Sequence, residues 1–241
     1  MRMRKNKHAE ERLAACAEYL YTHEGAPLTA PAEVFGRADA PVYLEIGAGK
    51  GGFAVGTVKK MPEVCYFAME RVSDCVVLAA ELAAREGVTD SLRFVIDNAD
   101  NLLTIFAPGT VDRLFLNFSD PWSKKGYAKR RLTHRRYLAV YMNLLRDGGV
   151  LQFKTDNVGL FDFTLEEISA MGLVPTVVTR DLHASEYDEG NVRTEYEEAF
   201  SSRGVNINML RVEKPSGFSP DVSPELSASR KTRDCYFKRE N

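Results

Sequence analysis

Residues 42–52 read Val-Tyr-Leu-Glu-Ile-Gly-Ala-Gly-Lys-Gly-Gly, an apolar run of strand length that ends in a glycine-rich turn. Residues 51–60, which follow, have apolar side chains at helical spacing, so the glycines separate a strand from a helix. Glycine has no side chain and lets a backbone turn approach a ligand closely. The stretch therefore predicts the first strand, turn and helix of a doubly wound α/β sheet, with a ligand at the turn.

The same alternation of short apolar runs and helical segments continues along the chain. Strands are predicted at 42–46, 65–69, 92–96, 113–118 and 150–154, and helices at 51–60, 73–86, 100–106, 132–146 and 158–171. Because these strands are apolar on both faces, they indicate a parallel sheet covered by helices on both sides. Two further strands, at about 173–181 and 205–213, enclose a polar loop and a short helix near 194–202.

Three regions are expected from these patterns. Residues 1–40 form an N-terminal helix, at 8–24, and a linker rich in Pro and Ala, and residues 41–213 form the α/β domain. Residues 214–241 lose the apolar periodicity and gain Pro and Ser. This composition predicts a flexible C-terminal tail.

The overall charge excludes a protein that is basic over its whole surface. The chain has 32 Lys and Arg residues against 34 Asp and Glu residues, a formal net charge of -2, so any nucleic-acid surface has to be local. The four cysteines form no Cys-x-x-Cys pair, which predicts reduced thiols in a cytoplasmic protein and no metal site. No apolar run approaches the roughly 18 residues of a membrane helix. We therefore expect no membrane partner.

Polar residues follow all five predicted parallel strands. These strand ends lie at 45–52, 70–71, 97–100, 117–122 and 154–157. A single end of this kind is usually a tight turn or a helix cap. Because the carboxyl ends of parallel strands meet at one edge of the sheet, five polar ends in succession indicate a shared ligand site.

Acidic residues at this edge favour S-adenosylmethionine over a dinucleotide. Glu70 follows Gly47 by about 20 residues, where the partner of a ribose hydroxyl is expected for either ligand. Glu45, two residues before that glycine, is an unfavourable neighbour for an anionic pyrophosphate. Glu45, Glu70 and Asp120 instead suit the ammonium and sulfonium charges of S-adenosylmethionine. An NAD-dependent oxidoreductase is the alternative that this argument disfavours.

The segment between Asp120 and Asp147 contains no acidic residue. It contains Lys124, Lys125, Lys129, Arg130, Arg131, Arg135, Arg136 and Arg146, interleaved with Trp122, Tyr127, His134 and Tyr137. A solvated basic helix usually carries balancing Glu residues, and this segment has none. A local basic surface with aromatic residues, next to the expected reaction centre, is typical of binding to a phosphate backbone.

Four motifs in this order resemble the bacterial tRNA (guanine-N7-)-methyltransferase family, of the TrmB type. They are Glu45-Ile-Gly-x-Gly-Lys-Gly, Asn117-Phe-Ser-Asp-Pro-Trp-x-Lys-Lys-x-x-x-Lys-Arg-Arg-Leu-Thr, Phe153-Lys-Thr-Asp-Asn and Thr194-Glu-Tyr-Glu. The first is shared by many methyltransferases, whereas the second is long and close to diagnostic. The resemblance covers roughly residues 40–213.

The resemblance implies a class I S-adenosylmethionine-dependent methyltransferase, with a Rossmann-like doubly wound sheet and a final antiparallel strand. It implies transfer of a methyl group from S-adenosylmethionine to N7 of the variable-loop guanine of tRNA. Guanine N7 is an unprotonated acceptor at neutral pH, so its lone pair can attack without a catalytic Cys or His. A carboxylate is needed to offset the positive charge that develops on the purine, or to accept a hydrogen bond from the guanine edge.

The resemblance also places the functional residues. The donor-binding positions fall on Glu45, Gly47, Gly49, Glu70, Asn98 and Asp120, and Asp120 also occupies the catalytic position. The substrate-binding positions fall on Lys124, Asp156, Thr194, Glu195, Tyr196 and Glu197. Three departures from the family pattern are Ser123 in place of Pro, Gly126-Tyr127-Ala128 in place of a more polar stretch, and Asn98 where many members have Asp.

Alternatives remain open at this point. The residues 194–197 also fit a helix-capping box, with Thr194 at the cap and Glu197 three residues later. A methyltransferase acting on another RNA, and a tRNA-binding protein without activity, share many of the same features. The pattern leaves open whether the protein is a monomer or a homodimer.

Overall fold

Seven strands form one sheet in the computed structural model, which describes residues 8–223 and Leu226. The strands are β1 (Val42–Ile46), β2 (Cys65–Glu70), β3 (Leu92–Ile96), β4 (Val111–Asn117), β5 (Leu145–Thr155), β6 (Val177–Thr179) and β7 (Asn208–Glu213). Their order across the sheet is β3-β2-β1-β4-β5-β7-β6. The first five are mutually parallel, and β7 runs antiparallel to both β5 and β6. The predicted fold, with its final antiparallel strand, is confirmed.

Helices cover both faces of the sheet. They are α1 (Ala9–Ala14), α2 (Gly52–Lys60), α3 (Ser73–Glu86), α4 (Leu102–Ile105), α5 (Arg135–Leu144), α6 (Val158–Ala170) and α7 (Glu195–Ser201). One buried cluster joins Leu44 of β1 to α5 and α6, and the other joins Tyr43 to α2 and α3. Adjacent residues of β1 thus point to opposite faces, as the period of two in a strand requires.

The structure corrects three boundaries. The helix predicted at 8–24 ends at Ala14, and a 3₁₀ turn at Ala17–Tyr19 follows, because Leu20 then pairs with Phe94 at the edge of β3. The strand predicted from 150 begins at Leu145, since Lys214 continues its pairing with β7 through the backbone of Gly149 at 2.8 Å. The strand predicted at 173–181 is limited to β6, which has a single neighbour at the edge of the sheet.

Part of the segment expected to be a flexible tail packs on the domain. Phe218 and Val222 contact the core, and the Asn143 side chain donates a hydrogen bond to the Pro220 carbonyl at 2.8 Å. The flexibility of residues 214–241 stays a prediction, and most of 224–241 lies outside the described residues, as do the basic residues at 1–7. Within the part that the structure describes, no helix has the length and apolar character needed to cross a membrane.

Candidate active site at the carboxyl ends of the strands

The chain order of the sheet reverses between β1 and β4. The helix after β1 packs on one face and the helix after β4 on the other, which opens a crevice at the carboxyl ends of these strands. Residues predicted to bind the donor follow β1, β2 and β3. Those predicted to bind the substrate follow β4 and β5 or lie at the start of α7. The crevice therefore brings the two groups to the same edge.

The glycine turn after β1 has backbone angles that favour glycine. Gly47 has φ +81° and Gly49 has φ +55°, and a β-carbon at either position would meet no atom within 4 Å. The space beside these two glycines is therefore open to a ligand. Gly51 differs, because a β-carbon there would lie 2.8 Å from the β-carbon of Ala79. This third glycine serves the packing of α2 against α3.

Glu70 holds the shape of that turn. One of its carboxylate oxygens accepts a hydrogen bond from the Gly49 amide at 3.0 Å, and the other accepts one from the Val72 amide at 2.9 Å. Each oxygen retains a second lone pair that a ligand hydroxyl can use. The predicted role of Glu70 toward a ribose is compatible with this geometry and stays a prediction.

The end of β3 adds one polar and one apolar residue. Asn98 is exposed and caps the short 3₁₀ turn Ala99–Asn101, its side chain accepting from the Asp100 amide at 3.4 Å. Ile96, paired with Glu70 across the sheet, has 40% of its surface exposed. Sequence reasoning did not single out Ile96. The position of Ile96 opposite Glu70 in the sheet is the feature that could have identified it.

Glu45 lies beneath the turn rather than on an open surface. Its side chain is 2% exposed and accepts hydrogen bonds from the Asn117 amide at 2.9 Å and the Tyr66 hydroxyl at 3.2 Å. Burial raises the pKa of Glu45 to about 7, although both hydrogen bonds act in the opposite direction. The alternation of β1 turns Glu45 into the layer under α2. Its predicted role toward the donor stays a prediction.

Asp120 is exposed at the mouth of an open pocket of about 400 Å³. The pocket is lined by Asp120, Pro121, Trp122, Ser123, Lys124 and Tyr127. Within residues 8–223, no hydrogen bond or ion pair occupies the Asp120 carboxylate. The structure thus brings the predicted catalytic residue together with Lys124, and leaves the carboxylate available to a ligand.

Unusual backbone conformations flank Asp120. Phe118 has φ +53° and Trp122 has φ +41°, in the left-handed region that bulky residues rarely occupy. The surrounding structure holds them there, as such conformations require. The Phe118 amide donates to the Lys154 carbonyl at 2.9 Å, and the Arg131 guanidinium donates to the carbonyls of Pro121 and Trp122 at 3.0 and 3.2 Å.

Three arginines of the basic segment, the residues between Asp120 and Asp147, have partners within the protein. Arg131 supports the loop as just described, Arg135 forms a two-point ion pair with Glu167 at 2.8 and 3.0 Å, and Arg146 pairs with Asp112. Burial acts to raise the pKa of Glu167, but the Arg135 contacts hold it below its ordinary value. The side chains of Arg135 and Arg146 are nevertheless exposed, so their expected contact with phosphates stays a prediction.

Residues 124–130, which we call the basic loop, remain for an external partner. Lys124, Lys125 and Lys129 are exposed, and none of them pairs with an acidic group in the described part of the chain. The Arg130 guanidinium lies over the rings of Trp122 and Tyr127, at 5.1 and 4.6 Å. The departure at Tyr127 therefore adds an aromatic ring to the wall of the Asp120 pocket.

The start of α7 has the geometry of a capping box. The Thr194 hydroxyl accepts from the Glu197 amide at 2.9 Å, and the Glu197 carboxylate accepts from the Thr194 amide at 3.5 Å. Glu197 is fully buried and pairs with Lys154 at 2.6 Å. The direct contact between Glu197 and a substrate that the resemblance implied stays a prediction. The Glu197 side chain is committed to the interior.

The other predicted substrate residues are accessible. Glu195 is exposed and lies 3.5 Å from the Lys50 ammonium of the glycine turn. Tyr196 is 58% exposed, and its ring stacks on that of Phe118 with a centroid separation of 6.3 Å. Asp156, half-buried, follows β5, the parallel neighbour of the strand that carries Asp120. These side chains therefore share one edge with the Asp120 pocket.

Three potential metal ligands lie close together, one of them in α7 and two in the loop before it. It consists of His183, Asp188 and Glu197, whose ligand atoms lie within 4.8 Å of one another. Both carboxylates already have cationic partners, Lys154 for Glu197 and Arg193 for Asp188, each at 2.6 Å. We interpret the group as a network of ion pairs.

Comparisons with known proteins agree with this geometry. The profile of a family described as "Putative methyltransferase" matches residues 39–210. A tRNA (guanine-N(7)-)-methyltransferase of Halalkalibacterium halodurans is 45% identical over 173 residues, which cover 72% of this chain and 77% of the relative. That of Bacillus subtilis is 39% identical over 213 residues, covering 88% of this chain and 99% of the relative.

Solved structures support the fold alone. A 16S rRNA methyltransferase named KamB superposes with a TM-score of 0.59 at 12% identity, covering 81% of this chain and 98% of that chain. A 30S ribosomal A1408 methyltransferase from an uncultured bacterium gives 0.55 at 12% identity, with coverage of 81% and 97%. The matched family profile and the two sequence relatives carry the assignment further. The chain belongs to the tRNA (guanine-N7-)-methyltransferase family.

Proposed function

We propose that this chain transfers a methyl group from S-adenosylmethionine to N7 of the variable-loop guanine of tRNA, and that the guanine enters the Asp120 pocket. The observation that carries the proposal is the exposed Asp120 carboxylate, which has no hydrogen-bond or ion-pair partner among the described residues and follows the strand next to that of the glycine turn. Residues 41–213 supply the catalytic domain. A cytoplasmic protein, as a monomer or a homodimer, is part of the proposal.

The residues at the ends of β1, β2 and β3 fit the donor. S-adenosylmethionine supplies an electrophilic methyl group on a sulfonium when bound. Gly47 and Gly49 leave open space beside the turn, Glu70 retains lone pairs for ribose hydroxyls, and Ile96 offers exposed apolar surface for a flat base. Asn98 would accept or donate a hydrogen bond at that base.

Asp120 acts on the guanine. The N7 lone pair needs no general base, so what the chain provides is positioning and charge. As N7 is alkylated, positive charge develops on the purine, and a carboxylate already in place stabilises it without reorganisation. The same carboxylate can accept a hydrogen bond from the guanine edge. Both roles require Asp120 to be free of internal partners, as it is among the described residues.

The basic loop and the aromatic rings act on the rest of the tRNA. Lys124, Lys125 and Lys129 neutralise phosphates. Tyr127, in the wall of the pocket, and Tyr196, exposed beside Phe118, offer faces on which an unstacked base can lie. Asp156 and Glu195, at the same edge, would accept hydrogen bonds from nucleotides near the target.

Incubation with unmodified tRNA and labelled S-adenosylmethionine, followed by mapping of the labelled nucleotide, tests the proposal. Label on N7 of the variable-loop guanine is the expected result. Label on another nucleotide, or on ribosomal RNA in preference to tRNA, would assign the protein to another RNA substrate. Calorimetry of the free protein tests the donor, since tighter binding of NADH than of S-adenosylmethionine would contradict it.

A further inference from the structure

Lys154 is the single lysine of β5 and is completely buried. Its ammonium donates to the Asn191 side-chain oxygen at 3.1 Å, to the Val192 carbonyl at 3.0 Å and to the Glu197 carboxylate at 2.6 Å. An ammonium has three donors. All three are therefore used on residues 191–197, which we call the anchored segment.

The Glu197 carboxylate, which accepts a hydrogen bond from Lys154, also has several internal partners. Glu197 accepts hydrogen bonds from Lys154, from His183 at 2.9 Å, from the Asn191 amide group at 2.7 Å and from the Thr194 backbone. Burial acts to raise the pKa of Glu197, but the charge and hydrogen bond of Lys154 keep it below its ordinary value. Neither side chain of the pair is exposed to solvent, so the contact is shielded from water.

Lys154 also contacts the loop that carries Asp120. Its carbonyl accepts the hydrogen bond of the Phe118 amide, two residues before Asp120. The Phe118 ring in turn stacks on Tyr196, which belongs to the anchored segment. One residue therefore joins the loop of the catalytic carboxylate, through its backbone, to the start of α7, through its side chain.

We propose that Lys154 is a positioning residue for tRNA, whose buried ammonium fixes the anchored segment against the Asp120 loop. The proposal rests on the proposed function and names a residue that joins the loop of Asp120 to the anchored segment at the same edge of the sheet. The competing explanation is that the buried pair contributes to stability alone. A buried pair replaced by apolar side chains of similar volume often leaves stability unchanged or improved, so the two explanations can be separated.

The first test is Lys154→Met, which keeps the length of the side chain and removes its three hydrogen bonds. We expect KM for tRNA to rise at least tenfold, the Kd of S-adenosylmethionine to stay within about twofold, and hydrogen exchange of the amides at 191–197 to accelerate. Lys59→Met is the matched control, because Lys59 is exposed on α2 and its one ionic partner in the part of the chain that the structure describes is Glu86. It should keep all three wild-type values.

The second test is the double variant Lys154→Met, Glu197→Met, which removes both charges. Recovery of the melting temperature without recovery of the tRNA KM supports positioning. Recovery of both overturns it, as does a single Lys154→Met variant that melts earlier but keeps the wild-type KM.

Gly56→Ala perturbs the anchored segment without changing Lys154. A β-carbon at Gly56 would lie 2.7 Å from a methyl group of Val192, so the Val192 side chain or the segment itself has to shift. Hydrogen exchange at 191–197 shows which of the two moves. If the segment moves, we expect the tRNA KM to rise here too, and a wild-type KM in that variant would reject the proposal even if Lys154→Met did not fold. If the wild-type protein methylates tRNA and the variants keep its KM, the positioning role alone is rejected. If the wild-type protein binds the donor but leaves tRNA unmodified, the proposed function is rejected.

Discussion

Glu45 lies on the face of β1 that packs under α2, where burial raises the pKa of its carboxyl from the ordinary value of 4.5 to about 7. Between these two values the folded protein binds more protons at Glu45 than the unfolded chain does. Stability therefore falls as pH rises through this window, and the contribution is constant above it. At neutral pH the residue is close to half-ionised, so a cationic ligand above the turn favours loss of its proton.

Glu45→Gln replaces the carboxyl by a neutral group of the same shape. We expect its free energy of unfolding to lie within about 1 kcal/mol of the wild type at pH 5 and to exceed it by up to about 3 kcal/mol at pH 8. Urea unfolding at the two pH values measures this. Equal dependence of both proteins on pH would mean that Glu45 stays ionised in the folded state.

Asp120→Asn keeps the shape of the side chain in the pocket and removes its charge. We expect the single-turnover rate of methyl transfer at saturating tRNA to fall by roughly 10²–10³, the usual effect of losing one group that stabilises transition-state charge. The Kd for tRNA should change little, because the phosphate contacts lie on the basic loop. Ser123→Ala, in the same pocket, is the control and should keep the rate within a few fold. An unchanged rate in Asp120→Asn would remove the residue from the mechanism.

The glycine turn contains glycines of two kinds: Gly49 borders open space for a ligand, and Gly51 packs against Ala79. Substitutions at these two positions separate the two roles. In Gly49→Ala the backbone cost of the left-handed conformation is about 1–2 kcal/mol, and the new methyl group enters the open space beside the turn. We expect a donor affinity at least tenfold weaker. Gly51→Ala adds a collision with Ala79 and should lower the free energy of unfolding more. Calorimetry with S-adenosylmethionine and urea unfolding compare them, and wild-type donor affinity in Gly49→Ala would place the donor elsewhere.

Short strands whose apolar runs are bounded by turns could be predicted closely from the sequence. β1 and β3 begin and end where the apolar runs do, since Val42–Ile46 and Leu92–Ile96 are bounded by turns. β5 could not be predicted in full, because Arg146 and Asp147 interrupt its apolar pattern and its pairing depends on the distant β7. The role of Lys154 was missed for a similar reason. Its partner Glu197 is 43 residues away, and a charge after an apolar run is typical of an ordinary strand end.

On the scale of the whole molecule, the net charge is -2. Positive potential is therefore expected mainly at Lys and Arg residues that have no acidic partner within the protein. The arginines of the basic segment that pair with Glu167 and Asp112 contribute little field at a distance. The basic loop stands at the carboxyl edge of the sheet with the Asp120 pocket. This placement directs an anionic polymer toward the reaction centre by long-range attraction, which salt screens.

The triple variant Lys125→Ala, Lys129→Ala, Arg130→Ala measures that contribution. Each phosphate contact releases counterions, so the slope of log affinity for tRNA against log salt should flatten by roughly two units, at about 0.7–0.9 for each phosphate. Arg131 is left in place, because it holds the Asp120 loop through two carbonyls. The Kd of S-adenosylmethionine should not change, since the donor residues follow β1, β2 and β3.

A triple variant of equal charge change at the opposite edge is the control for this experiment. Lys59, Arg85 and Arg113 lie near the carboxyl ends of α2 and α3 and the start of β4, which is the edge remote from the pocket. Replacing these three by Ala lowers the net charge equally and also removes the two cationic partners of Glu86. It therefore reports the effect of an equal change in net charge away from the pocket. If the two triple variants flatten the salt slope to the same extent, tRNA senses the net charge of the protein and not the basic loop. A flatter slope only in the basic-loop variant places the phosphates beside Asp120.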